Sequence, residues 1–164
     1  MELNIIVAMS INGVIGKDNK VPWRIKEDML LFKGLTTNRT VIMGKNTWLS
    51  LPNTFRPLPN RNNIIVSKTL PEQEGAFVCK SVEEALELSK RFDCDAYCIG
   101  GAKLYSQMLP ISSILHISLV KGIYEGDTYF PEINYDEWTL QETVDFENFV
   151  YKRYIRKAPN NLNI

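Results

Sequence analysis

Asp28 is the first residue of this sequence that asks for a chemical explanation. It falls in a helix-like stretch, residues 26–35, just after Pro22-Trp23. At about 100° per residue, Leu31, Phe32 and Leu35 lie within roughly 60° of Asp28, and Glu27 sits about 100° away at the rim of that face. A carboxylate in the middle of an apolar stripe is costly to bury unless it is paired or used. Two readings stand. Asp28 is a first-turn acid at the positive end of the helix dipole, or it grips a cationic or amidine-like ligand edge and helps to move a proton.

Two glycine junctions offer a different chemistry. Thr40-Val41-Ile42-Met43 runs into Gly44-Lys45-Asn46-Thr47, and Ala96-Tyr97-Cys98-Ile99 runs into Gly100-Gly101-Ala102-Lys103. Each reads as a strand, a glycine turn and a helix start carrying a lysine, which suits two phosphates approached from two sides. One such junction alone reads as turn geometry. The G-x-G-x-x-G fingerprint and the P-loop pattern are both absent, so neither an ordinary dinucleotide Rossmann fold nor a nucleotide hydrolase is supported. Trp23 is a core aromatic or a lid over a ligand. Arg61, in Leu58-Pro59-Asn60-Arg61, is a solvated loop arginine or a bidentate carboxylate clamp. The one histidine, His116, sits in an apolar strand and reads as structural.

The elements that must position these residues alternate in type. Residues 3–9, 40–43, 63–66, 96–99 and 115–120 are short apolar runs bounded by Gly, Pro, Asn or charge, as strands buried on both faces should be. Val82, Ala85, Leu86 and Ser89 give a helical stripe behind a Ser81/Glu84 capping box. Leu104, Tyr105, Met108 and Leu109 give another, ended by Pro110. Strands alternating with helices predict an α/β domain with a mostly parallel central sheet and helices on both faces. Residues 138–145 and 149–156, joined by 146–148, predict an antiparallel C-terminal hairpin at its edge. With no repeat and no linker, residues 1–164 read as one domain with a frayed tail over 158–164.

Composition narrows the function classes. The chain has 164 residues, 45% hydrophobic and 23% charged, with nineteen basic residues balancing nineteen acidic ones. That balance argues against a nucleic-acid or anionic-membrane partner, and no apolar run approaches the roughly 18 residues of a membrane span. Cys79, Cys94 and Cys98 have only one histidine beside them, so no metal site is expected. The apolar start reads as a buried first strand rather than a signal peptide, and thiols expected to stay reduced fit a cytoplasmic chain.

Taken in order, these blocks resemble one family. Val14-Ile15-Gly16, Val21-Pro22-Trp23 and Asp28 with Leu31-Phe32-Lys33 are similar to the opening of dihydrofolate reductase, closest to the bacterial type. So are Val41 to Trp48, Leu58-Pro59-Asn60-Arg61, Ile99 to Tyr105, and Glu125-Gly126-Asp127-Thr128-Tyr129-Phe130-Pro131. The resemblance implies that NADPH delivers a hydride to C6 of 7,8-dihydrofolate while N5 takes a proton through water. Asp28 would be the pocket acid, with Trp23 beside it as a catalytic-site residue. Ile6, Val7, Ala8, Val21, Met29, Phe32, Leu51, Leu58 and Ile99 match pocket-lining positions. Arg61 matches the clamp on the substrate's α-carboxylate, and Ser118 a residue bonded to the acid.

Ala8, Ile15, Gly44, Lys45, Asn46, Thr47, Ser67, Lys68, Lys80, Gly100, Gly101, Ala102, Lys103, Leu104 and Tyr105 match the cofactor side. The family adds a cis peptide at Gly100-Gly101, a mobile loop over residues 10–21, antifolates as further ligands and a monomer. Departures are the longer segment 52–56, Lys45 for a common arginine, Asn60 for a common glycine, and Glu27, a second negative charge expected to raise the pKa of Asp28. A related pterin or pyrimidine reductase, or a chain keeping the fold as a structural part, are the competing readings.

Overall fold

The structure, a computed structural model, describes residues 1–158; most of the tail expected to fray lies outside the described residues. In chain order the elements are β1 (Leu3–Ser10), β2 (Val14–Gly16), α1 (Lys26–Thr36), β3 (Thr40–Gly44), α2 (Lys45–Ser50), β4 (Asn62–Val66) and β5 (Phe77–Cys79). Then come α3 (Val82–Ser89), β6 (Ala96–Cys98), α4 (Ala102–Met108), β7 (Ile114–Val120), β8 (Thr128–Tyr129), β9 (Trp138–Asp145) and β10 (Phe149–Arg156). Eight strands form one sheet in the order β5-β4-β3-β6-β1-β7-β10-β9. Pairings from β5 through β7 are parallel, and β10 is antiparallel to both of its neighbours. The expected hairpin is present with its expected limits. Three short strands were not legible: β5 at the sheet edge, and the β2–β8 pair that stands apart as a small second sheet.

Strand alternation divides the sheet into two chemistries. Leu3, Ile5, Val7 and Met9 of β1 join Leu115 and Ile117 of β7, Val82 and Ala85 of α3, and Leu104 and Met108 of α4 in the main apolar core. Asn4, Ile6 and Ala8 point the other way, in register with Ile114, His116 and Ser118, toward α1. A period of two therefore separates packing residues from site residues within one strand.

Local signals behave as their chemistry requires, with two refinements. Ser81 caps α3 by accepting from the Glu84 amide, but the Glu84 carboxylate returns to the Lys80 amide at 2.8 Å rather than to Ser81. Pro110 does not end α4. The helix stops at Met108, and Leu109–Ile111 continues as a single 3₁₀ turn with proline at its start, where a missing N–H costs little.

His116 is structural, and its tautomer follows from its neighbours. The Asn4 amide donates to the Glu2 and Ala96 carbonyls, both at 3.3 Å. Its oxygen is left to accept from His116 Nε2 at 2.9 Å, so Nδ1 accepts from the Tyr151 hydroxyl at 2.7 Å. Burial, with Arg153 nearby, lowers the His116 pKa from 6.5 to about 4. Between those values the unfolded chain binds a proton that the folded chain refuses, so stability falls as pH drops through that window, by on the order of 3 kcal/mol. Urea titrations of wild type and His116→Phe should show their stability difference narrowing from neutral pH to about pH 4. A constant difference would refute the assignment.

Candidate active site

The cleft lies between α1 and the Ile6/Ala8 side of β1. Asp28, in the first turn of α1, is half-buried, while Glu27 beside it is exposed. Burial is what raises the Asp28 pKa, and a side-chain hydrogen bond with Ser118 of β7 opposes it. Glu27 is not among the causes, which corrects the expectation that its charge would do so. Desolvation is the larger of these two effects.

The apolar side chains matched to the pocket fall into two clusters. Phe32, Leu51 and Ile99 pack against the cluster built on Val41, Met43, Trp48, Leu58 and Ile65. Ala8, Trp23 and Leu31 pack against a second cluster at the far end of the cleft. Met29 and Val21 are more than half exposed, standing at the rim rather than in the wall. Val7 is different. Its side chain lies in the core on the opposite face of the sheet, so only its backbone can face the cleft.

Arg61 is no freely solvated arginine. Its Nε donates to the Pro59 carbonyl at 2.9 Å and its Nη1 to Thr36 Oγ1 at 3.2 Å. The guanidinium lies 6.0 Å above the Phe32 ring, and burial lowers its pKa. Held in that plane, it presents its remaining donors as a fork for a carboxylate.

The two glycine junctions meet. The Gly44 amide donates to the Gly100 carbonyl at 2.8 Å, and Ile99 donates to Ile42 at 2.9 Å. The Gly100–Gly101 peptide is cis, as the resemblance implied. Gly100 has φ +120°, and a Cβ there would lie 3.3 Å from the Tyr105 hydroxyl. That hydroxyl donates to the Ile6 carbonyl at 2.8 Å, tying α4 to β1 beneath the cleft. Burial, Cys98 and Asp28 all raise the Tyr105 pKa. Leu104 and Tyr105 are core residues by side chain; Lys103 is exposed.

Neither helix start is capped by a side chain, and neither carries an acid in its first turn. Their orphan amides are open to an anion. Lys45 reaches Thr69 Oγ1 at 3.4 Å. Ser67 Oγ accepts from the Thr69 and Leu70 amides at 3.3 and 3.0 Å, which leaves its hydrogen free to donate. Ser67 N is bonded to the Cys79 carbonyl, so Lys80 follows at the same corner beside Lys68. A glycine-lined, lysine-bearing edge, with no acid in the first turn of either helix, fits a phosphorylated dinucleotide.

The loop before Trp23 carries structure of its own. Lys17 and Lys20 exchange backbone hydrogen bonds around Asp18 and Asn19, whose φ values of 51° and 62° are those of a left-handed two-residue turn. Asp127 holds the loop from the other side: its carboxylate accepts from the Asp18 amide at 3.0 Å and its amide donates to Gly16 at 3.1 Å. The Gly126-Asp127-Thr128 block was visible in the sequence, but no periodicity assigns it to a partner strand.

A family model described as dihydrofolate reductase matches residues 2–156. The chain belongs to the dihydrofolate reductase family. The dihydrofolate reductase of Haemophilus influenzae is 40% identical over 141 residues, 86% of each chain. That of Bacillus subtilis is 36% identical over 152 residues, 89% of this chain and 88% of its own. Among solved structures, Enterococcus faecalis dihydrofolate reductase, complexed with NADP(H) and a compound named RAB-propyl, superimposes with a TM-score of 0.86. It is 33% identical and covers 96% of this chain and 97% of its own.

In a dihydrofolate reductase the lysine corner predicts cofactor preference. Lys45→Ala should raise KM for NADPH about tenfold or more while hardly changing KM for NADH, because a 2′-phosphate adds nearly two charges for it to meet. Equal effects on both cofactors would assign Lys45 elsewhere.

Proposed function

We propose that this protein reduces 7,8-dihydrofolate to 5,6,7,8-tetrahydrofolate with Asp28 favouring the protonation of N5. NADPH, when bound, supplies the hydride to C6. Family membership carries the reduction and its cofactor; the observation that supports the role of Asp28 is a carboxylate held against Ser118 inside an apolar cleft.

In that setting Asp28 can accept hydrogen bonds from the amidine-like edge of a pterin. Its negative charge, poorly screened in the apolar cleft, makes proton uptake at the nearby ring nitrogen easier. The carboxylate need not touch N5; a water completes the path. Phe32, Leu51 and Ile99 flank the ring, and Arg61 takes the carboxylate at the far end. Trp23 closes the side nearest the loop. Gly44, Asn46 and Thr47 with Gly100 to Lys103 would hold the pyrophosphate, while Lys45, Ser67, Lys68 and Lys80 would take the adenosine end.

Every residue in this scheme comes from one domain of one chain, so we read the protein as a monomer. We place it in the cytoplasm. Buried free thiols at Cys79 and Cys98 support a reducing compartment, and among the described residues no helix is long and apolar enough to cross a membrane. The decisive assay follows loss of reduced-nicotinamide absorbance with and without dihydrofolate. Oxidation that does not depend on dihydrofolate would overturn the reading.

A further inference from the structure

We propose that Tyr124 is a positioning residue that sets the orientation of Trp23 and, through it, the loop-side wall of the substrate cleft. This rests on the reading that Trp23 lines that cleft. Tyr124 lies in the connection between β7 and β8, far from Trp23 in sequence, yet the two rings meet edge to face with centroids 5.0 Å apart and planes at 63°. Both pack against the cluster that holds Ile25, Val120 and Phe149, along with Ala8 and Leu31 from the cleft itself.

The other two tryptophans are fixed differently. Trp48 donates to Gln73 at 3.0 Å, and Trp138 lies 4.2 Å beneath the Arg156 guanidinium. Trp23 is oriented by packing, and Tyr124 supplies its aromatic partner.

Tyr124 is suited to this because its backbone is held to the sheet rather than left on a loose loop. The Asn12 amide grips it from both sides, donating to the Tyr124 carbonyl at 2.9 Å and accepting from the Tyr124 amide at 3.3 Å. Asn12 Oδ1 also accepts from Ser10 Oγ at 2.5 Å, and Ser10 Oγ accepts from the Val14 amide at 3.0 Å. Ser10 is fully buried at the end of β1, two residues beyond Ala8. The sequence of contacts therefore runs from the central strand through Ser10 and Asn12 to the Tyr124 ring, and from that ring to Trp23.

Fluorine NMR of the full chain labelled with 5-fluorotryptophan, together with single-turnover hydride transfer, tests the proposal. Tyr124→Leu should shift the Trp23 resonance, leave those of Trp48 and Trp138 in place, and slow hydride transfer roughly three- to tenfold, the range an edge-to-face pair supplies. Tyr124→Phe keeps the ring and should restore both signals. Ile123→Ala, at the exposed neighbouring position, should change neither. KM for NADPH should stay constant while kcat/KM for dihydrofolate falls.

A Tyr124→Leu variant with lower thermal stability but an unmoved Trp23 resonance, or a Tyr124→Phe variant as slow as Tyr124→Leu, would overturn the assignment. Adding dihydrofolate to wild type separates the two levels of the argument. If its Trp23 resonance ignores the substrate, the placement of Trp23 fails and this proposal falls with it. If the resonance answers the substrate but not Tyr124→Leu, only this proposal fails.

Discussion

Asp28→Asn should fold normally and lose roughly 10²- to 10⁴-fold in hydride transfer at neutral pH, recovering part of it in acid. The loss reflects a missing negative charge beside the pterin; acid restores some activity because bulk protons then protonate the substrate directly. The same variant should be more stable than wild type at neutral pH. Burial raises the Asp28 pKa in the folded state. In the window between the unfolded and folded values the folded chain therefore holds a proton that the unfolded chain has released, and above it Asp28 is charged in both states. Wild-type stability therefore falls as pH rises through that window, and the stabilising effect of the Asn is present above it and absent below about pH 4.

Single-turnover rates and melting temperatures across pH check both halves. Near-normal activity at neutral pH would sink the catalytic role. A variant less stable than wild type at neutral pH would show that the Ser118 hydrogen bond outweighs burial. Glu27→Gln, on an exposed side chain, is the control and should change the rate by less than about twofold.

Gly126→Ala should be the most damaging single-methyl change in the chain. A Cβ at Gly126 would collide with Val14 Cγ1 and lie 2.7 Å from the Gly16 carbonyl oxygen. Val14 is fully buried, and Gly16 is already engaged by the Asp127 amide, so neither can give way cheaply. The methyl must drive the 10–21 loop away from the β7–β8 connection. Overpacking of this kind costs about 1–3 kcal/mol, and here it also moves the loop that leads to Trp23, so catalysis should fall about tenfold or more.

Gly34→Ala provides the contrast. It lies in α1 with nothing within 4 Å of the added methyl, and should stabilise the helix by up to about 1 kcal/mol. Denaturation midpoints and steady-state rates would decide. A Gly126→Ala protein as stable and active as Gly34→Ala would contradict the packing argument.

Legibility followed the range of the interactions involved. Asp28 stands out because helical spacing puts it among Leu31, Phe32 and Leu35, a property of about two turns of helix. The glycine–lysine junctions, the hairpin and the Ser81 cap were likewise visible, because each depends on neighbours within a few residues. Which carboxylate stands in the apolar stripe was therefore legible in the sequence. Why its pKa moves was not. The sequence pointed to Glu27, whereas desolvation decides, and desolvation depends on walls supplied by α1 and β7 together.

The same division runs through the rest of the site. By itself, the order of apolar runs, glycine turns and capping residues determined the sheet's parallel body, its antiparallel edge and the segments that carry Asp28, Arg61 and the lysines. Those are short-range preferences, and chain order preserves them. Only the tertiary structure decided that Val7 faces the core while Ala8 faces the cleft, that Thr36 fixes the plane of Arg61, and that Asn12 and Tyr124 lock onto each other across more than a hundred residues. Such pairings are settled by which surfaces the folded chain brings within 3–4 Å, a distance at which hydrogen bonds and packing act and which no local pattern encodes.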